Sequence, residues 1–169
     1  MQLHERIIRW TQTFTKRWKF NAGVVGARLK YGYEKGSMTG TEITMAASVI
    51  MKAASGRFVT LDASGYGQLI PSTSTSTIFG FVLAPQETTS ATKGTTSYYC
   101  ITNPDAIFRV PCTGTFALTD RGKTAALIVT NSIQYALIGT TAPALLRIVG
   151  GTTAGGWVDV QMIAINRTI

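Results

Sequence analysis

The sequence is poor in the side chains that most enzymes work with. It holds one histidine (His4), two cysteines (Cys100 and Cys112) and eight carboxylates in 169 residues. A four-ligand zinc site of His and Cys therefore cannot be completed within one chain. Asp62, Asp105 and Asp120 sit in the turn-like contexts DASG, NPD and DRG, where capping the backbone is the ordinary role of an aspartate. No pair of them reads as a general acid and base. The serines lie in low-complexity loops without a G-x-S-x-G elbow, and no P-loop occurs. Gly65-Tyr66-Gly67 lacks the third spaced glycine and the following helix of a dinucleotide fingerprint. These gaps argue against an enzyme, and neither cofactor nor metal is expected.

Charge is scarce as well. Charged residues make up 14% of the chain, where about 25% is usual. A surface of Thr and Gly in place of charge suits burial in an assembly, although a β-rich protein with uncharged loops has the same composition. Hydrophobic content of 45% excludes wholesale disorder. No apolar run approaches a membrane span. Charges interrupt the N-terminus throughout, so no signal peptide is expected and the sequon Asn166-Arg167-Thr168 reads as incidental. Both cysteines lie in apolar, strand-like segments and are expected as reduced structural thiols.

The charge that is present is unevenly placed. Residues 1–35 carry eight basic and two acidic side chains, a net of +6, against +2 for the remainder. In this basic arm Leu3, Ile7, Trp10, Phe14 and Trp18 recur at spacings that put them on one face of a helix, with Arg17 beside them. Thr11, Thr13 and Thr15 weaken the helical propensity. The arm can dock on a partner, pack on the rest of its own chain or lie on a membrane surface; docking is the preferred reading, with Ile7, Trp10, Phe14, Arg17 and Trp18 as contact residues. Further on, Lys30, Tyr31, Tyr33 and Lys35 interleave basic and aromatic side chains, as a single-stranded nucleic-acid site would. The same residues also alternate as in a strand.

From about Met45 the grammar changes to short apolar strands between Thr/Gly/Ser loops. The stretch from Lys52 to Ala84 sets the pattern. Arg57–Leu61 reads as a strand, Asp62–Gly65 as a turn, Ser72–Thr77 as a polar loop and Ile78–Leu83 as a strand. Thr41–Met51 reads as strand or short helix, with strand preferred. Further strands are expected over 97–102, 106–111, 115–118, 125–131, 133–138, 144–149 and 157–165, with Val158, Val160, Met162 and Ala164 facing inward. The loop residues Thr88-Thr89-Ser90 and Gly150–Gly156 separate them. Regularly spaced short strands indicate a sandwich or barrel rather than a βαβ sheet. The fold class expected is thus all-β, a small β-barrel or sandwich domain over residues 45–169, preceded by a basic aromatic arm over residues 1–44.

The order GRFVTLDASG (Gly56–Gly65), IFGFVLAPQ (Ile78–Gln86), FRVPCTGTFALTDRGK (Phe108–Lys123) and the closing stretch from Leu146 to Asn166 resembles small phage head-decoration, or cement, proteins. The resemblance covers residues 53–166 and lies in strand and turn types; the arm has no counterpart in it. It implies a small tulip-like β-barrel in a virion protein, assembled in the host cytoplasm, that binds the outside of an icosahedral shell where capsomers meet. The implied partners are the major capsid protein and further copies of the chain, as dimer or trimer. Neither a small-molecule substrate nor a membrane is implied, and nucleic acid is not the expected partner. Two alternatives are another virion component (head-fibre base, tail tube or adaptor) and a single-stranded nucleic-acid-binding β-barrel.

Overall fold

The computed structural model describes residues 31–51, 57–70, 77–83, 88–90, 92–130, 133–139 and 144–163. The described chain is almost entirely β. Its strands are β1 (Gly32–Lys35), β2 (Gly40–Thr44), β3 (Val49–Met51), β4 (Arg57–Leu61), β5 (Gly67–Leu69), β6 (Gly80–Val82), β7 (Thr88–Ser90), β8 (Ser97–Ile101), β9 (Ile107–Thr113), β10 (Thr124–Thr130), β11 (Ile133–Leu137), β12 (Leu146–Thr152) and β13 (Trp157–Met162).

The C-terminal half closes on itself. Strands β9, β11, β10, β12 and β13 pair in that order, and β13 returns to β9 with Val158 opposite Val110 and Val160 opposite Phe108. The result is a five-stranded barrel without free edges. One seam is parallel, with Ala136 and Leu137 of β11 opposite Cys112 and Thr113 of β9. Strand β1 lies against the first half of β9, Gly32 opposite Arg109. Alternation along β13 fills the barrel as the sequence predicts: Val158, Val160 and Met162 are buried, while Trp157, Asp159 and Gln161 point outward. Ala164 lies outside the described residues.

The N-terminal half is a curled sheet in the order β2, β8, β6, β4, β5. Its outer strands approach where Met45 bridges to Gly67 and the Ala46 N–H donates to the Gly67 carbonyl at 2.8 Å. One side of this half-barrel buries Ile43, Met45, Val59, Val82 and Cys100, with Val49 and Met51 of the β3–β7 ribbon. The other side presents Phe58, Phe81 and Ile101 to the core of the closed barrel. Phe81 stacks on Phe108 at 4.4 Å between ring centroids, and Phe58 meets both rings edge-on at 5.0 and 5.5 Å. The two halves thus share one core.

Three expectations are corrected by these elements. Residues 115–118 are not a strand; the segment ends in a single 3-10 turn, Leu118–Asp120, because Asp120 Oδ2 accepts from the Ala117 N–H at 2.8 Å and folds the chain back. Thr88–Ser90 is a strand rather than a loop, paired with β3. Gly150 to Thr152 continue β12 beyond Val149, across a bulge between Ile148 and Gly150. The 41–51 stretch is strand, but Ser48 at φ +61° breaks it into β2 and β3. Strands β1 and β2 both come from residues assigned to the arm, so the sheet-forming part of the chain starts earlier than residue 45.

Candidate interaction surface

The arm residues proposed for docking, Ile7, Trp10, Phe14, Arg17 and Trp18, lie outside the described residues, as does Lys30. The other members of the possible nucleic-acid set lie in β1 or just before it. Tyr33 is half-buried, its ring edge-on to Phe108 at 6.3 Å and its hydroxyl donating to the Gly36 carbonyl at 2.6 Å. A ring held this way is not free to stack on a base. Tyr31 lines a crevice between the two halves with Arg57, Val110, Pro111, Ile133 and Gln134, and Lys35 is exposed on β1. The cavity there measures about 10 Å³, far below the roughly 300–1,000 Å³ of small-molecule sites.

Two of the three turn aspartates cap their turns. Asp62 Oδ1 accepts from the N–H groups of Ser64 (2.8 Å) and Tyr66 (2.9 Å), and Gly65 takes φ +81°. Lys93 adds an ion pair at 3.2 Å and lies 4.5 Å over the Tyr66 ring. The bond from the Tyr66 N–H, more than the bonds from Ser64 and Lys93, holds the Asp62 carboxyl below the ordinary range. Asp120 is held low in the same way by the Ala117 N–H and then by Lys123, whose Nζ lies 3.0 Å from Oδ1. In the third turn the cap is Asn103, whose Oδ1 accepts from the Asp105 N–H at 2.8 Å. These carboxylates hold backbone in place.

Two polar sites went unmarked in the sequence. Gln134 is buried at 5% exposure on the barrel side of β11. Its Oε1 accepts from the Phe58 N–H at 2.8 Å, and its Nε2 donates to the Phe58 carbonyl at 2.9 Å. Strand β4 pairs with β5 only from Val59 onward; the Gln134 amide stands in for the missing partner peptide and ties the halves together. The available signal was a glutamine sharing the inward parity of Ala136 in an otherwise apolar strand. The second site is Arg109, on the barrel's outer wall. Its Nε and Nη2 donate to Asp159 Oδ1 (2.9 Å) and Oδ2 (3.2 Å), Glu34 lies 3.3 Å away, and the guanidinium sits 3.8 Å over the Trp157 ring. The Asp159 bond raises the Arg109 pKa further.

Both thiols are free. Burial pushes Cys100 up to about 12 and raises Cys112 as well, so neither is poised as a nucleophile. No known family model and no curated protein matches the chain.

Proposed function

We propose that the chain is a structural virion protein that decorates and stabilises a phage capsid from its outer surface. The observation that carries this reading is the use made of the polar side chains. Gln134, Asp62, Asp120 and the Arg109–Asp159 pair are committed to links within the body. A β-body locked through one core, with few charges on its surface, is suited to bearing load in a lattice. Low charge also lowers the desolvation cost when a large surface is buried. The basic arm then supplies a second contact to an acidic shell, and repeated contacts over a particle offset the entropy of ordering it. The resemblance in strand and turn order points the same way.

Peptide mass spectrometry on gradient-purified particles of a phage carrying this gene tests the reading, with the soluble fraction as control. Recovery in intact particles at a fixed ratio near one to the shell protein is expected. A ratio of a few copies per particle moves the assignment to a tail, fibre or adaptor component. Absence from particles removes the virion role altogether. A nucleic-acid role is separated by a salt titration with a single-stranded oligonucleotide, since phosphate contacts weaken steeply with salt.

A further inference from the structure

Two large apolar side chains are exposed among the described residues, Leu118 at 71% and Ile163 at 36%. Both flank the first half of β12. The loop carrying Leu118 is bonded to this strand by the Gly122 N–H, which donates to the Ile148 carbonyl at 2.8 Å; Gly122, at φ +83°, makes the turn. At the other end, the Ile163 N–H donates to the Leu145 carbonyl at 3.1 Å. Between them Arg147 points outward, opposite Thr124 on one neighbouring strand and Gln161 on the other. Arg121 is exposed in the same loop as Leu118.

The charges of this face are unbalanced. Three basic residues make no ion pair among the described residues, Lys35, Arg121 and Arg147, and two of the three are here. The nearby Asp120 is already engaged by Lys123 and the Ala117 N–H. Asp105 stands beyond Gln161, whose amide reaches its backbone carbonyl at 3.5 Å. Because these strands belong to a closed barrel, the face cannot recruit a partner by strand addition; it must do so with side chains.

We infer that the β12 face, with Leu118, Arg121, Arg147 and Ile163, is the body's docking surface for a protein partner presenting carboxylates around an apolar recess. Resting on the reading above, that partner is the capsid shell. Paired apolar and guanidinium groups favour a protein surface over nucleic acid, because phosphates offer nothing for Leu118 and Ile163 to fill. Arginine also matches carboxylates in bidentate geometry.

The test is co-sedimentation of the purified full chain with capsid particles from a phage lacking the gene. Arg121→Glu combined with Arg147→Glu is expected to weaken binding about 30-fold or more, and Leu118→Asp about tenfold. Lys35→Glu, an equally unpaired basic position on β1, which belongs to the β-body rather than the arm and lies off the β12 face, leaves affinity within about threefold. Unfolding midpoints of all variants match the wild type, since the changed side chains are exposed; the milder set Leu118→Ala, Arg121→Gln and Arg147→Gln gives a second, smaller loss. Wild-type binding with undiminished binding by these variants overturns this inference alone. No binding by the wild-type chain overturns the capsid role as well. Loss confined to binding of a DNA oligonucleotide overturns the choice of a protein partner.

Discussion

Replacing Gln134 by methionine tests how much one side-chain amide adds to the shared core in holding the two halves together. Methionine is close in volume and flexible, so the change removes two hydrogen bonds while leaving little cavity. It strands the Phe58 N–H and carbonyl, which face Gln134 in the buried core. Leaving a buried polar group without a partner costs about 1–3 kcal/mol, so the pair amounts to about 2–6 kcal/mol. For a chain of this size each kcal/mol shifts the midpoint by about 2–4 °C, giving a fall of roughly 4–24 °C. Chemical unfolding should show the same loss with an unchanged denaturant slope, because both halves still unfold together.

Gln134→Glu sharpens the test through its pH dependence. A glutamate here faces the Phe58 carbonyl, so only its protonated form can donate as Nε2 does, and its folded pKa rises above the ordinary value of about 4.3. A carboxyl whose folded pKa is raised contributes stability below its unfolded pKa and loses it as pH climbs through the folded value. The deficit of Gln134→Glu relative to wild type should therefore be large at neutral pH and shrink towards pH 4. A deficit below about 0.5 kcal/mol for Gln134→Met, or a Glu deficit that does not change with pH, would refute the bridging role.

The turn aspartates have the opposite sign. Asp62 and Asp120 are held below the ordinary value of 3.8 by backbone N–H donors, so their stabilisation is present above that value and is lost as pH falls through their lower folded values; Asp62→Asn and Asp120→Asn should flatten the acid limb of a stability-against-pH curve. At the outer wall of the barrel, a double-mutant cycle over Arg109→Ala and Asp159→Ala should return about 1–2 kcal/mol of coupling by urea unfolding, more than an exposed ion pair, because both side chains are only 17% exposed. Thiol labelling at neutral pH should reach Cys112 before Cys100, which is fully buried with its pKa near 12; Cys100 should react at the rate of unfolding. Equal labelling rates for the two would contradict the burial of β8.

What could be read in the sequence is what depends on neighbours along the chain. The alternation of Val158, Val160 and Met162 and the turns DASG and DRG are local consequences of strand pleat and of Asp and Gly chemistry, and the folded chain keeps them. The failures share a cause. Thr88–Ser90 looks like loop because its composition is polar; it is a strand because Val49–Met51 lies beside it. Gly150 and Gly151 look like a turn, yet β12 carries them on because β13 supplies the pairing, Asp159 and Val158 opposite them. A Cβ at Gly151 would come within 2.9 Å of Phe116 Cγ, so glycine there reflects packing under the Phe116 loop, which no local pattern announces.

The same distinction separates the two kinds of contact residue. Ile7, Trp10, Phe14, Arg17 and Trp18 could be nominated from periodicity, since a helical face is defined by spacing alone. Leu118, Arg121, Arg147 and Ile163 come from a loop, strand β12 and the residue just past β13, up to 45 positions apart in the sequence, and they share a face only because β10 and β13 flank β12 in the barrel. A lone leucine in FALTDRGK carries no signal until its exposure is known, and Arg147 reads as one more solvated charge until its lack of a carboxylate partner is seen. If both sets engage a shell, they act differently. The β12 face sets position, because its strands are already fixed in the closed barrel before binding, while the basic arm adds long-range attraction that salt screens over about 8–10 Å. Raising ionic strength should therefore slow association through the arm more than it speeds release from the β12 face.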